Sequence, residues 1–87
     1  MEIIVLDSAY KHGVSRQSID SCLFNFRSDM VLDDPPPKRL FVGFDHLGNA
    51  LEIIAVEDVE SDCLVVIHAM KLRKQFYHLL EGGNYEL

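Results

Sequence analysis

The run from Cys63 to Leu80, CLVVIHAMKLRKQFYHLL, constrains this chain more than any other stretch. Its first part is apolar at successive positions, Cys63 to Ile67, the pattern of a central strand covered on both sides. Its second part spaces Leu72, Phe76, Leu79 and Leu80 at helical intervals and runs up to Gly82-Gly83, where a helix stops readily. The run predicts a buried strand over 63–69 that passes straight into an amphipathic helix over 71–81. With strict alternation, Leu64, Val66 and His68 share one face of the strand, and Cys63, Val65, Ile67 and Ala69 share the other. On the helix, Arg73 and Tyr77 flank the buried face one turn apart, while Lys71, Lys74 and His78 line a stripe away from the core. His68, Lys71, Arg73 and Lys74 therefore gather at one strand–helix junction.

The rest of the chain reads as the elements that such a strand needs around it. Glu2 to Leu6 is a first short strand. Asp7 and Ser8 start a helical turn that Gly13 can end, with Lys11 and His12 just before the glycine. Ser15 is an N-cap for a helix over 16–26, whose Ile19, Cys22, Leu23 and Phe26 make one apolar stripe. Phe24 lies off that stripe, on a side that can meet another surface. Met30 to Leu32 allows a brief strand. The prolines of Asp33-Asp34-Pro35-Pro36-Pro37-Lys38 exclude ladder and helix interior, so this is a stiff extended loop. Residues 39–45 and 50–56 pair as a hairpin around His46-Leu47-Gly48-Asn49, with Gly48 at a positive-φ position. Glu57 to Asp62 connects this hairpin to the Cys63 strand, which completes a meander.

With 87 residues, the chain makes one domain over 1–87. The fold class predicted is α+β: a three- to four-stranded, mainly antiparallel sheet with two helices packed on it. Both helices show one apolar stripe, so both are expected on one sheet face, leaving the other open to a partner or RNA. The N-terminal MEIIVLD carries acid where a signal peptide is positive, and no apolar run is long enough for a bilayer. The reading is a cytoplasmic protein with no membrane contact. Cys22 and Cys63 read as buried thiols, not as a bridge or metal site.

The net charge of −6 is unevenly placed. Residues 1–28 balance, residues 29–66 carry nine acids against Lys38 and Arg39, and residues 67–87 are positive by one. A non-specific nucleic-acid binder is basic overall, so that class is excluded, but a local phosphate site at one end is not. His12, His46, His68 and His78 are scattered without metal-ligand spacing, and there is neither a Gly-rich phosphate loop nor a GxSxG elbow. No metal or cofactor is expected.

The junction is where chemistry concentrates. A positioned histidine moves protons near neutrality, and His68 sits at the strand end. Arginine grips two phosphate oxygens with its planar fork, and lysine adds a point charge; Arg73 and Lys74 supply both. Cleavage of a phosphodiester by these groups needs one group to take the 2′-OH proton, cations on the crowded phosphate, and one group to protonate the leaving oxygen.

The pieces AYKHGVSRQSIDSCLFNF, the DDP loop, the meander and VVIHAMKLRKQF together resemble the RelE-like toxins, and more closely the BrnT branch of bacterial toxin–antitoxin systems, in an actinobacterial type. The resemblance spans about residues 8–80. It implies a small toxin with endoribonuclease activity on RNA, an RNase-like fold, and a cognate antitoxin that covers the site. Carried over by position, His68, Arg73 and Tyr77 are the catalytic candidates. Lys11 and His12 of the KHG turn, with Lys71 and Lys74, are the substrate-binding candidates. Where the better-studied BrnT branch has Ile-Ser-Ala-Arg at the strand end, this chain has Ile67-His68-Ala69-Met70. That difference and the acidic middle keep a second reading open: a non-catalytic binding module of the same fold, working through a protein partner or as a homodimer.

Overall fold

A computed structural model describes residues 1–32 and 37–81. The strands are β1 (Glu2–Val5), β2 (Ser28–Leu32), β3 (Lys38–Phe44), β4 (Ala50–Asp58) and β5 (Cys63–Lys71). The one α-helix among the described residues is α1 (Arg16–Phe24), and two 3-10 segments occupy Asp7–Tyr10 and Lys74–Glu81. Of the loop expected over 33–38, residues 33–36 lie outside the described residues, and Lys38 already belongs to β3. The glycine stop expected at 82–83 and the tail beyond it also lie outside them.

The class is α+β, with a larger sheet than the sequence reading expects. Five strands are ordered β1-β5-β4-β3-β2. β2 to β5 form an antiparallel meander, and β1 adds to the outer edge of β5 in parallel. The sheet is therefore mixed. The parallel pair, Glu2 opposite Cys63 through Val5 opposite Val66, joins the two ends of the chain and has no local sequence signal.

The two helical layers lie on opposite faces, not on one. α1 packs Ile19, Cys22 and Leu23 onto Phe41, Leu51, Ile53, Ala55, Leu64, Val66 and Ala69, with Ala9 of the first 3-10 turn beside them. The closing segment packs Phe76, Leu79 and Leu80 onto Leu40, Val42, Ala50 and Ile54 on the reverse face. β3 alternates accordingly, Phe41 to one side and its neighbours Leu40 and Val42 to the other. Each face is covered over part of its length.

Ser15 caps α1 as expected, accepting the Ser18 N–H at 3.1 Å. The helix ends two residues early, at Phe24, because Asn25 leaves the helical region at φ −125°, ψ 29°. The chain then turns onto β3, where Arg27 N–H donates to Val42 O at 2.8 Å. Gly43 permits this approach: a Cβ there would lie 2.8 Å from Phe26 Cα. Phe26, off the helix, sets its ring edge-on to Phe41 with centroids 5.0 Å apart.

The closing segment is shorter and tighter than the predicted helix over 71–81. Lys71 is still in β5, paired with Leu51, and Leu72 N–H donates to Ala50 O at 2.9 Å. The helical segment begins only at Lys74, with Phe76 N–H donating to Arg73 O. A 3-10 turn repeats every three residues, so Phe76 and Leu79 stack on one line against the sheet. Arg73 lies before this segment, so it and Tyr77 are not a helical pair. No described helix is long and apolar enough to cross a membrane.

Candidate functional site

Strict alternation fails in the middle of β5. Ile54 pairs with His68 and Ala55 with Val66, so Ile67 is an extra residue, a β-bulge. Leu64 and Val66 face the α1 core, as does Ala69. His68 stands opposite Ile54, on the face covered by the closing segment, and does not share a face with Leu64 and Val66. The bulge is held from outside: β1 has ended at Val5, and Ser8 Oγ donates to the Ile67 carbonyl at 3.0 Å.

Two residues along β4 from Ile54, on the same face, is Glu52, whose side chain is fully buried. His68 Nε2 lies 3.1 Å from Glu52 Oε2. Arg73 reaches the same carboxylate three ways: its backbone N–H donates to Oε1 at 3.0 Å, Nε lies 3.1 and 3.0 Å from Oε1 and Oε2, and Nη2 donates to Oε2 at 2.6 Å. Burial alone would raise the Glu52 pKa; the Arg73 guanidinium, the Arg73 N–H and His68 outweigh it and hold the carboxyl below its ordinary value. Glu52 is thus an anion. Since an ionised carboxylate only accepts, Nε2 of His68 carries the proton, and in the neutral ring Nδ1 is the basic nitrogen.

Nη1 of Arg73 takes no part in that fork, and the side chain is 44% exposed. Its guanidinium also lies over the Phe76 ring, 5.5 Å from the centroid. The His12 ring stands edge-on to His68, with centroids 5.7 Å apart. The cluster therefore reads His12–His68–Glu52–Arg73: a buried anion that fixes two basic groups, with a third against them at the surface.

Among the sequence-derived candidates, the structure brings together His68, Arg73 and His12. Lys71 and Tyr77, with His12, line a neighbouring cavity at the end of β5. Lys11 is exposed on the turn beside His12, and Lys74 is exposed beside Arg73. Glu52 is the residue that sequence reasoning missed. Its signal was present: one acid within Ala50-Leu-Glu-Ile-Ile-Ala-Val56, an otherwise apolar strand, has to be paired if it is buried.

A second polar centre supports the hairpin turn. Asp45 accepts from Ser18 Oγ at 2.7 Å, from the Leu47 and Asn49 N–H groups at 3.0 and 2.8 Å, and from Asn49 Nδ2 at 3.2 Å. Desolvation opposes its ionisation, but these donors prevail and bring its pKa down to about 2. Gly48 adopts the expected positive φ, 84°. Cys22 and Cys63 are both buried free thiols. Among the described residues, no group of three or more His, Cys, Asp or Glu is placed to hold a metal ion. No family model matches the chain, and neither a curated protein nor a solved structure matches it.

Proposed function

We propose that this chain is a small endoribonuclease of the toxin type, cleaving RNA by proton transfer at the His12–His68–Glu52–Arg73 cluster. The observation that carries this is the fully buried Glu52 carboxylate holding Arg73 and His68 together at the surface. A buried ion pair is a poor route to stability, because desolvation offsets much of its Coulombic gain. Its contribution here is geometry. Arg73 keeps Nη1 for a phosphate oxygen, and His68 is oriented with Nδ1 as the base.

In this reading His68 takes the proton from the 2′-OH, the 2′ oxygen attacks phosphorus, and the bond to the 5′ oxygen breaks. His12 gives a proton to the departing oxygen, leaving a 2′,3′-cyclic phosphate and a 5′-OH. Two rings with centroids 5.7 Å apart have no room for a phosphate between them, so it lies across their exposed edges. Arg73 and Lys74 stabilise its added charge. Glu52, wholly buried, touches no substrate and acts as a positioning residue.

The test is induced expression in a bacterial host, with wild type beside His68→Ala, scoring growth and total RNA, and then the purified proteins on RNA. Arrest and RNA decay with wild type alone support the assignment. Equal cleavage by His68→Ala removes it.

A separate observation favours a protein partner, either an antitoxin or a second copy. A cleft of about 870 Å³ beside the end of α1 is lined by Leu23, Phe24, Phe26, Phe41 and Leu64, and Phe24 is 85% exposed. An exposed phenylalanine on an apolar cleft is the surface that a binding module would use. Healthy growth with wild type, together with loss of self-association or partner binding in Phe24→Asp, would favour that reading over the enzyme.

A further inference from the structure

Beside the cluster lies a cavity of about 680 Å³, between the ends of β4 and β5, the start of α1 and the closing segment. Its walls include His12, Leu51, Lys71, Leu72, Tyr77 and Leu80. His12 belongs to both places, since it lines this cavity and packs on His68. From the structure we infer that this cavity is a nucleobase subsite for the nucleotide next to the cleaved phosphate. The inference rests on the reading of His68 and Arg73 as the phosphate site and adds what holds the substrate there.

Three features select a base. Leu51, Leu72 and Leu80 give an aliphatic lining suited to the faces of a flat ring. Tyr77, 48% exposed, offers an aromatic face on the wall, and stacking on such a face tolerates any base. Lys71 is an exposed cation on the same wall, where it can meet the backbone of the strand. Two acids, Asp45 and Glu81, share this wall. Asp45 has both oxygens engaged by Ser18, Leu47 and Asn49, and Glu81 is exposed. A nucleotide is a ligand whose apolar ring is tethered to a phosphate a few ångströms away, which is what a cavity sharing one histidine with a phosphate site requires. The volume suits a ligand of that size.

The experiment titrates the full ¹⁵N-labelled chain with adenosine 3′-monophosphate and with inorganic phosphate, and measures cleavage of a short RNA by wild type, Tyr77→Ala and Lys71→Ala. Tyr77 and Lys71 are exposed, so neither change empties the core. The nucleotide is expected to shift the amides of Leu51, Leu72 and Tyr77, and phosphate alone only those near His68 and Arg73. Tyr77→Ala should weaken nucleotide binding and raise KM about tenfold, with kcat little changed. If wild type cleaves RNA while both variants keep its KM and its shifts, the subsite is wrong and the ribonuclease reading stands. If wild type cleaves nothing yet the nucleotide still shifts the cavity amides, the ribonuclease reading falls and the base site remains. No cleavage and no shifts overturn both.

Discussion

Arg73 closes over Glu52 from two directions, with its backbone N–H on one carboxylate oxygen and its Nε and Nη2 bridging to the other. The side chain at position 73 is therefore the main counter-charge to a wholly buried anion. Removing Arg73 leaves the buried carboxylate without its main counter-charge. Arg73→Ala is expected to lower the midpoint of urea unfolding, by less than loss of a fully buried pair would, because solvent reaches the half-exposed guanidinium. Arg73→Lys, which keeps the charge without the fork, should lose less. Wild-type stability in Arg73→Ala would show that Glu52 is not held as an isolated buried charge. For the same reason His68→Ala, not Arg73→Ala, is the variant that tests the proposed catalysis.

Backbone proximity makes Gly43 a stability position. A Cβ at 43 would stand 2.8 Å from Phe26 Cα and 3.3 Å from Arg27 N, both main-chain atoms that no rotamer change can move. Gly43→Ala must push the α1 exit off β3, and overpacking of this kind typically costs about 1–3 kcal/mol. A thermal melt checks it. Gly48→Ala also loses stability, through its φ of 84°, but with nothing within 4 Å of the added methyl. A third substitution, Ser15→Ala, removes the α1 cap and should cost about 1 kcal/mol.

Acid stability follows from Asp45 and Glu52. Asp45 has its pKa lowered from 3.8 to about 2, so on acidification the unfolded chain takes up the proton first. Its stabilisation is complete above the ordinary carboxylate range and is lost as pH falls through about 2. Glu52 is lowered as well and acts in the same direction. Melting temperature should therefore drop between mildly acidic pH and about 2, and Asp45→Asn should flatten that drop. An unchanged slope in Asp45→Asn would mean the Ser18–Asp45–Asn49 network does not persist in solution.

The thiols give a chemical test of the core. Burial, with Asp45 adding to it, pushes Cys22 up to about 12, and burial also raises Cys63. The thiolate is the reactive form, so neither should label at mildly alkaline pH while the chain is folded. Both should label at once in denaturant. Fast labelling of Cys22 in the native state would contradict its burial between α1 and the sheet.

Much of this architecture was legible in local signals. The hairpin was readable because Gly48 marks its turn, and α1 because Ser15 and the Ile19–Cys22–Leu23 stripe mark its start and its buried side. What escaped was set by partners distant in sequence. β1 finds β5 across most of the chain. Ile67 bulges without a glycine to announce it, and that one residue breaks the alternation that would have put His68 beside Leu64 and Val66. Lys71 and Leu72 stay extended because β4 pairs with them, which overrides the helical spacing of Leu72, Phe76 and Leu79. For the cluster, His68, Arg73 and His12 stood out by residue type, while Glu52 was concealed in an apolar strand that reads as plain core.

The orientation of His68 provides the most direct check on the cluster. Glu52 is ionised and accepts from Nε2, so the neutral imidazole is expected as the Nε2–H tautomer with Nδ1 unprotonated. Long-range ¹H–¹⁵N correlation spectra taken well above neutrality distinguish the two nitrogens. Glu52→Gln removes the charge at nearly the same size; Arg73 is then left beside a neutral amide, and His68 loses the anion that selects its tautomer. A mixed tautomer population is expected in that variant. On the proposed ribonuclease reading, a group that orients the base acts through kcat, so RNA cleavage by Glu52→Gln should fall by as much as the 10²–10⁴-fold that a positioned acid–base group typically contributes, with KM nearly unchanged. If the native ring carries its proton on Nδ1, or if Glu52→Gln cleaves as wild type does, Glu52 is a packing residue and does not orient His68 as a base.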